Sequence, residues 1–166
     1  MSLFGTLRTP RNLVFGAGQR HALAAYAAGL GSQALVVTDE RLARDGDFRQ
    51  LVDELTTAGV KVKVFDGTIA ELPLDCIARG VELGKAFGTD LVIGIGGGSC
   101  IDAAKVIALL LAHGGKAQDY YGEFKVPGPV LPLIALPTTS GTGSEVTPVA
   151  VITDPDRAVK VGIASP

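Results

Sequence analysis

Apolar positions follow two different periods along the chain, and the period changes repeatedly from one segment to the next. Short runs rich in Val, Leu and Ile are typical of buried strands, whereas apolar residues three or four positions apart indicate amphipathic helices. Such runs predict strands over residues 12–15, 34–39, 60–65, 91–95 and 131–137. The segments between them predict helices over residues 19–31, 48–59, 73–88 and 100–112.

The end of the chain shows a different pattern. Two short apolar segments flank the turn-forming residues Asp154, Pro155 and Asp156, which predicts a β-hairpin. Strands that alternate with helices indicate a mostly parallel sheet with helices on both faces. We therefore predict a Rossmann-like α/β fold with a C-terminal β-hairpin, and one domain over residues 1–166.

Three unusual segments stand at the carboxyl ends of predicted strands. Asp39 ends one strand, three glycines (Gly96–Gly98, the glycine turn) follow another, and the hydroxyl-rich loop PTTSGTGSE (residues 137–145) follows a third. The carboxyl ends of parallel strands lie along one edge of a sheet, where ligands bind near a topological switch point. The sequence therefore predicts a binding site formed by these three segments.

The glycine turn lies between a buried strand and a helix that begins near Ser99. Free backbone N–H groups at a helix start, together with the positive end of the helix dipole, can bind an anion such as a phosphate. Two alternatives stay open. The glycines can make a tight turn without a ligand, and Ser99 and Asp102 have the spacing of a capping box.

Asp39 and the hydroxyl-rich loop carry side chains suited to a dinucleotide. A carboxylate at a strand end accepts hydrogen bonds from ribose hydroxyls and repels a 2′-phosphate, which favours NAD over NADP. Asp39 can equally cap the next helix. The hydroxyls of Thr138, Thr139 and Thr142 offer uncharged donors to phosphate or ribose oxygens. An earlier FGAG sequence also opens a predicted helix, but His21 replaces the third glycine of a dinucleotide fingerprint.

Composition excludes several function classes. Of the 166 residues 47% are hydrophobic, and 15 Lys and Arg face 17 Asp and Glu, so neither nucleic acid nor an anionic membrane is an expected partner. The longest apolar run, residues 106–112, is too short to span a bilayer. Cys76 and Cys100 fit a reducing cytoplasm and packing roles. His21 and His113 form no pattern of metal ligands.

The segments GGGSCIDAAK (96–105), PTTSGTGSE (137–145) and VKVGIASP (159–166) together resemble the iron-containing alcohol dehydrogenase family. The resemblance covers essentially the whole chain and corresponds to the N-terminal, dinucleotide-binding domain of that family. It implies that a nicotinamide cofactor lies along the sheet edge. The implied contacts are Asp39 to the adenosine ribose, Gly97, Gly98 and Ser99 to the pyrophosphate, Thr138, Thr139 and Thr142 along the cofactor path, Lys160 to the nicotinamide ribose, and Asp102 facing the cleft.

One position departs from the family pattern. Many members carry an Asn–Pro pair after the third strand that contacts the cofactor, whereas this chain has Glu71 and Leu72 there. The metal ligands of the family, an Asp and three His, belong to a helical C-terminal domain, and this sequence stops at Pro166 before any of them. We therefore expect iron or another divalent metal to bind only together with that further domain.

The resemblance implies the NAD-binding half of a cytoplasmic oxidoreductase, which transfers a hydride between the nicotinamide and a small alcohol or carbonyl compound. This half is expected to be inactive alone and is compatible with a homo-oligomer. Two alternatives stay open. The complete protein can be a maleylacetate reductase or glycerol dehydrogenase of the same architecture, or the chain can be a nucleotide-binding module without turnover.

Overall fold

Two sheets organise the structure, a computed structural model that describes residues 9–165. Its strands are β1 (Gln33–Val37), β2 (Lys61–Phe65), β3 (Leu91–Gly96), β4 (Gly122–Glu123), β5 (Leu133–Pro137), β6 (Val149–Ile152) and β7 (Val161–Ala164). The first sheet has the order β2-β1-β3-β5, and all of its neighbouring strands are parallel. The second has the order β4-β7-β6, in which β6 and β7 form the predicted antiparallel hairpin.

Helices cover both faces of the parallel sheet, as the sequence predicts. They are α1 (Leu23–Ala28), α2 (Glu40–Ala43), α3 (Gly46–Thr57), α4 (Leu74–Phe87) and α5 (Gly98–His113), with 3-10 helices at Gln19–Ala22 and Ala117–Tyr120. Alternate residues of β1 enter different cores: Ala34 and Val36 pack with α1 and α3, whereas Leu35 and Val37 pack with α4 and α5. The second core also contains Ile152 and Ile163, so the hairpin is packed against the same helices.

The strand predicted over residues 12–15 is wrong. These residues belong to no described strand, and the Phe15 side chain is 96% exposed. Gly16 and Gly18 follow with positive φ and turn the chain into the 3-10 helix at Gln19–Ala22. A strand needs a neighbour for its backbone hydrogen bonds, and an apolar run does not reveal whether that neighbour exists.

The other predicted elements are confirmed with small changes in their bounds. The helix predicted over 19–31 divides into the 3-10 helix and α1. Three short elements were not predicted: α2, the 3-10 helix at Ala117–Tyr120 and β4. Within residues 9–165, no helix is long and apolar enough to cross a bilayer.

Candidate ligand-binding site at the sheet edge

The parallel sheet has a topological switch point between β1 and β3. After β1 the chain moves to β2 on one side of it, and it then returns to β3 on the other side. The loops after these two strands therefore leave in opposite directions and open a crevice at their carboxyl ends, the usual place for a ligand in an open α/β sheet. Asp39 lies just beyond β1 and the glycine turn ends β3, so the structure brings both predicted segments to this crevice.

The glycine turn leads directly into α5 without a side-chain cap. Gly97 is the N-cap residue and no side chain bonds to the first turn, so the capping-box alternative for Ser99 and Asp102 is wrong. The first backbone N–H groups that bond back to Gly97 are those of Cys100 and Ile101. The N–H groups of Gly97, Gly98 and Ser99 precede them at the positive end of a 16-residue helix. This arrangement is suited to an anion.

Backbone geometry makes glycine necessary at Gly96. Its φ is +147°, a conformation that L side chains rarely adopt, and an added Cβ would lie 2.6 Å from the Cys100 Sγ. The turn is therefore tight as well as open to a ligand, and the two interpretations of the glycines are compatible.

The hydroxyl-rich loop packs against the glycine turn. A Cβ added to Gly97 would lie 3.3 Å from Thr139 Oγ1, and one added to Gly98 would lie 3.2 Å from Thr142 Cγ2. Thr139 and Thr142 are both exposed, which leaves their hydroxyls accessible beside the start of α5. The absence of side chains at the two glycines leaves space between these segments that larger residues would fill.

Thr138 and Ser144 fix this loop at its two ends. The backbone N–H of Thr138 donates to the Gly96 carbonyl across 2.9 Å, while the Thr138 side chain is exposed. Ser144 is buried, and its Oγ would lie 3.3 Å from a Cβ on Gly98. Ser144 was not among the predicted contacts, although its place in the same hydroxyl-rich loop was an available signal.

Asp39 caps α2, and it also approaches the start of α5. Its Oδ1 accepts a hydrogen bond of 2.8 Å from the Leu42 N–H, which confirms the capping alternative. The Cys100 Sγ lies 3.9 Å from Oδ2. Burial raises the pKa of the Cys100 thiol to about 12, and the Asp39 charge adds to that shift. The predicted packing role of Cys100 agrees with an inert, protonated thiol.

Two hydroxyls near Asp39 have no hydrogen-bond partner in the described part of the chain. They are Thr38 Oγ1 and Thr68 Oγ1, both buried. The Thr68 N–H donates to the Thr38 carbonyl across 3.2 Å, so the two residues are neighbours at the carboxyl ends of β1 and β2. Sequence reasoning missed both, because single threonines after strands carry no distinctive signal.

Asp102 connects α5 to the hairpin. Its buried carboxylate accepts a hydrogen bond of 3.0 Å from the Val151 N–H and lies 3.4 Å from Lys105 Nζ. Lys105 also donates to the carbonyls of Thr147 and Val149. Burial lowers the pKa of Lys105, although Asp102 opposes that shift. Lys105 was not among the predicted contacts, although a lone cation in an otherwise apolar helix was an available signal.

Lys160 immediately precedes the second strand of the hairpin, and its Nζ lies 2.6 Å from Glu71 Oε2. Glu71 belongs to the loop that leaves the carboxyl end of β2. The structure therefore places Lys160 next to the residue that departs from the family pattern. His21 lies elsewhere, on the exposed side of the 3-10 helix, where its Nδ1 is 2.9 Å from Glu54 Oε1.

Comparison with known proteins gives a consistent result. A family model described as iron-containing alcohol dehydrogenase matches residues 10–166. A sulfoacetaldehyde reductase of Bilophila wadsworthia is 42% identical over 135 residues, which cover 81% of this chain and 35% of that protein. An NAD-dependent methanol dehydrogenase of Bacillus methanolicus is 40% identical over 131 residues, 79% of this chain and 34% of that protein.

Solved structures share the fold. A crystal structure of a 1,3-propanediol oxidoreductase superposes with a TM-score of 0.94 at 30% identity and covers 98% of this chain and 43% of its own. A sulfoacetaldehyde reductase from Bifidobacterium kashiwanohense in complex with NAD+ gives a TM-score of 0.85 at 30% identity. The match covers 99% of this chain and 44% of that chain. The chain thus spans less than half the length of the relatives that it matches. By its sequence and its fold, it belongs to the iron-containing alcohol dehydrogenase family.

Proposed function

We propose that this chain binds NAD along the crevice between β1 and β3, as the cofactor-binding part of an alcohol dehydrogenase. The observation that carries the proposal is the uncapped start of α5, packed against the hydroxyl-rich loop at a topological switch point. Bound there, NAD would supply the hydride acceptor for oxidation of a small alcohol, and NADH the hydride donor for reduction of a carbonyl compound.

Each predicted contact has a place in this proposal. The N–H groups at Gly97, Gly98 and Ser99 would bind the pyrophosphate, because they stand at the positive end of α5 and no side chain caps them. Thr138, Thr139 and Thr142 would donate hydroxyl hydrogen bonds along the cofactor path, Asp39 would accept from the adenosine ribose, and Lys160 would contact the nicotinamide ribose. These residues orient the cofactor, which is a catalytic contribution of its own.

Asp102 has a supporting place in the proposal. Its carboxylate is committed to the Val151 N–H and to Lys105, so it contributes to the cleft by holding α5 and the hairpin together. Its direct contact with the cofactor stays a prediction.

The family name implies a metal, which the described residues do not fit. Across residues 9–165, no group of three or more His, Cys, Asp and Glu side chains lies close enough together to hold an ion. In the wider proposal the substrate is a small alcohol or carbonyl compound, and we expect no turnover by the chain alone.

The proposal is tested by calorimetric titration with NAD, followed by hydrogen exchange with and without NAD. We expect binding of NAD and slower exchange of the backbone N–H groups of residues 97–99 and 138–142, since ligand contacts protect them. Residues 46–48, at the start of α3, form the internal control because they also begin a helix but lie outside the crevice. Absence of binding, or protection confined to other segments, contradicts the proposal.

A further inference from the structure

Glu71 and Lys160 form an ion pair between two loops that are distant in sequence. Lys160 Nζ lies 2.6 Å from Glu71 Oε2, and the side chains of Lys160 and Glu71 are 49% and 67% exposed. An exposed pair of this kind contributes little to stability, because water screens it and two long side chains lose freedom. Its effect is therefore better sought in where it holds the Lys160 ammonium group.

The backbone at Glu71 is held in an unusual conformation. Glu71 has φ +69° and Leu72 has φ +46°, both in the left-handed region that non-glycine residues seldom occupy. Leu72 is only 1% exposed, so its side chain anchors the turn in the core. Two consecutive left-handed residues persist only where the surroundings hold them.

Thr153, just after β6, supplies that support. Its N–H donates to the Leu72 carbonyl across 3.0 Å, and its hydroxyl donates to the Glu71 carbonyl across 2.6 Å. The loop after β2 and the tip of the hairpin are thus joined by backbone as well as side-chain contacts. This arrangement holds Glu71 beside the start of β7, the strand that Lys160 immediately precedes.

Lys160 lines a groove of about 400 Å³ together with two other cationic residues, Lys125 and Arg157. Arg157 lies over the Tyr121 ring and 4.0 Å from Asp154 Oδ2, so part of its charge is compensated locally. Glu71 is the carboxylate beside the Lys160 ammonium group, so the attraction between them favours the position of Lys160 beside the loop after β2.

We propose that Glu71 is a positioning residue, whose carboxylate holds the Lys160 ammonium group at the carboxyl edge of the sheet for contact with the cofactor. The inference rests on the proposed function, because it assigns Lys160 to the nicotinamide ribose. Glu71 replaces the Asn of the family pattern. In this chain Glu71 acts through Lys160. It restricts the orientations of Lys160 in the free protein, so that less conformational freedom is lost when the cofactor binds.

A double-mutant cycle on NAD affinity tests the proposal, with Glu71→Gln, Lys160→Met and the double variant of the full chain. Glu71→Gln keeps the length of the side chain and removes its charge. We expect it to weaken NAD binding roughly three- to fivefold, the upper part of the range for an exposed ion pair, and to have no effect in the Lys160→Met background. Asp47→Asn is the matched control, since it breaks an exposed pair with Arg20 of 2.7 Å outside the crevice.

A second measurement reports the position of Lys160 without the cofactor. Acetic anhydride labels accessible lysines, and mass spectrometry gives the rate at each one. We expect Glu71→Gln to raise the labelling rate of Lys160 severalfold and to leave that of Lys63, on β2, unchanged. Asp47→Asn should alter neither rate.

The outcomes distinguish failure of the positioning role from failure of the proposed function. An unchanged or tighter NAD affinity in Glu71→Gln overturns the positioning role while leaving the proposed function intact. A loss of affinity that persists in the Lys160→Met background overturns it equally, because Glu71 would then act by another route. Failure of the wild-type chain to bind NAD contradicts the proposed function, and the positioning role with it.

Discussion

Asp102 Oδ2 accepts a hydrogen bond from the Val151 N–H, 3.0 Å away, and so joins the first turns of α5 to β6. The same helix begins at the glycine turn, and the hairpin that contains β6 also carries Lys160. The glycine turn and Lys160 are assigned to different parts of the cofactor path. They are therefore connected through one buried carboxylate. Its removal should affect both the fold and the alignment of the crevice.

We predict that Asp102→Ala lowers the free energy of unfolding by about 2–3 kcal/mol. The substitution removes charge-assisted hydrogen bonds and leaves the half-buried Lys105 ammonium with backbone carbonyls alone. Urea unfolding followed by circular dichroism measures the change. Asp53→Asn, on α3, is the control and should cost almost nothing. A loss for Asp102→Ala as small as that of the control would show that the bond to Val151 contributes nothing.

Gly98→Val should abolish measurable NAD binding without unfolding the chain. An added Cβ already approaches Thr142 Cγ2 to 3.2 Å and Ser144 Oγ to 3.3 Å, so a branched side chain fills the space between α5 and the hydroxyl-rich loop. Calorimetric titration gives the affinity, and circular dichroism verifies the fold. Gly46→Val is the control because Gly46 also begins a helix and has no atom within 4 Å of an added Cβ. Wild-type affinity in folded Gly98→Val would place the pyrophosphate elsewhere.

Asp39 should determine the preference for NAD over NADP. Loss of a charge-assisted hydrogen bond together with repulsion of the 2′-phosphate corresponds to about 2–3 kcal/mol, or roughly 30- to 150-fold in affinity. We therefore expect Asp39→Gly to reduce the ratio of the two dissociation constants, as measured by titration with each cofactor. Arg41, two residues further along, carries a positive charge that we expect to soften the penalty in the wild type.

Asp39→Asn separates the two tasks of this side chain. Asparagine caps a helix about as well as aspartate, so the bond to the Leu42 N–H is retained while the charge is lost. We expect the NADP penalty to shrink in this variant with little loss of stability. A wild-type preference for NADP, or an unchanged ratio in both variants, would leave Asp39 with its capping role alone.

Cys100 should make the chain less stable as the pH rises above 9. Burial raises the pKa of the folded thiol from 9.0 to about 12, whereas the unfolded thiol ionises near the lower value. Between these values the folded state binds the extra proton, so the free energy of unfolding falls by up to about 1.4 kcal/mol per pH unit. Cys100→Ala should remove this part of the slope in urea unfolding at pH 9 to 10.

Tyr121→Phe provides the comparison for that experiment. Burial and the hydrogen bond to Asp154 raise the pKa of Tyr121 from 10.0 to about 12, so its own effect on stability begins only near pH 10. The slope between pH 9 and 10 should therefore be nearly the same in Tyr121→Phe as in the wild type. Equal slopes in Cys100→Ala and the wild type would mean that Cys100 ionises equally in both states.

The sequence was sufficient to predict which segments meet at the carboxyl edge of the sheet. Strand ends can be recognised from the change of period, and parallel strands bring their carboxyl ends to one edge, so Asp39, the glycine turn and the hydroxyl-rich loop could be assigned together. Residues 12–15 have the same apolar character as a paired strand, yet Phe15 is exposed. Whether an apolar segment finds a partner depends on the tertiary structure.

Contacts between distant segments could not be predicted. Lys105 bonds to the Val149 carbonyl 44 positions away, and nothing in the local sequence specifies that carbonyl. The pair of Glu71 and Lys160 depends on left-handed backbone at Glu71 and Leu72, residue types that give no turn signal. The family pattern identified Glu71 as a departure, but only the structure showed its partner.

The order of the strands has a consequence for synthesis on the ribosome. Asp39, β1 and β2 emerge early, but the crevice also needs the glycine turn, the hydroxyl-rich loop and finally Lys160, which is made much later. A ligand stabilises only the states that bind it. NAD therefore cannot assist the early folding of the nascent chain, and the paired strands β1 and β2 must rely on their own helices until the remaining strands have been made.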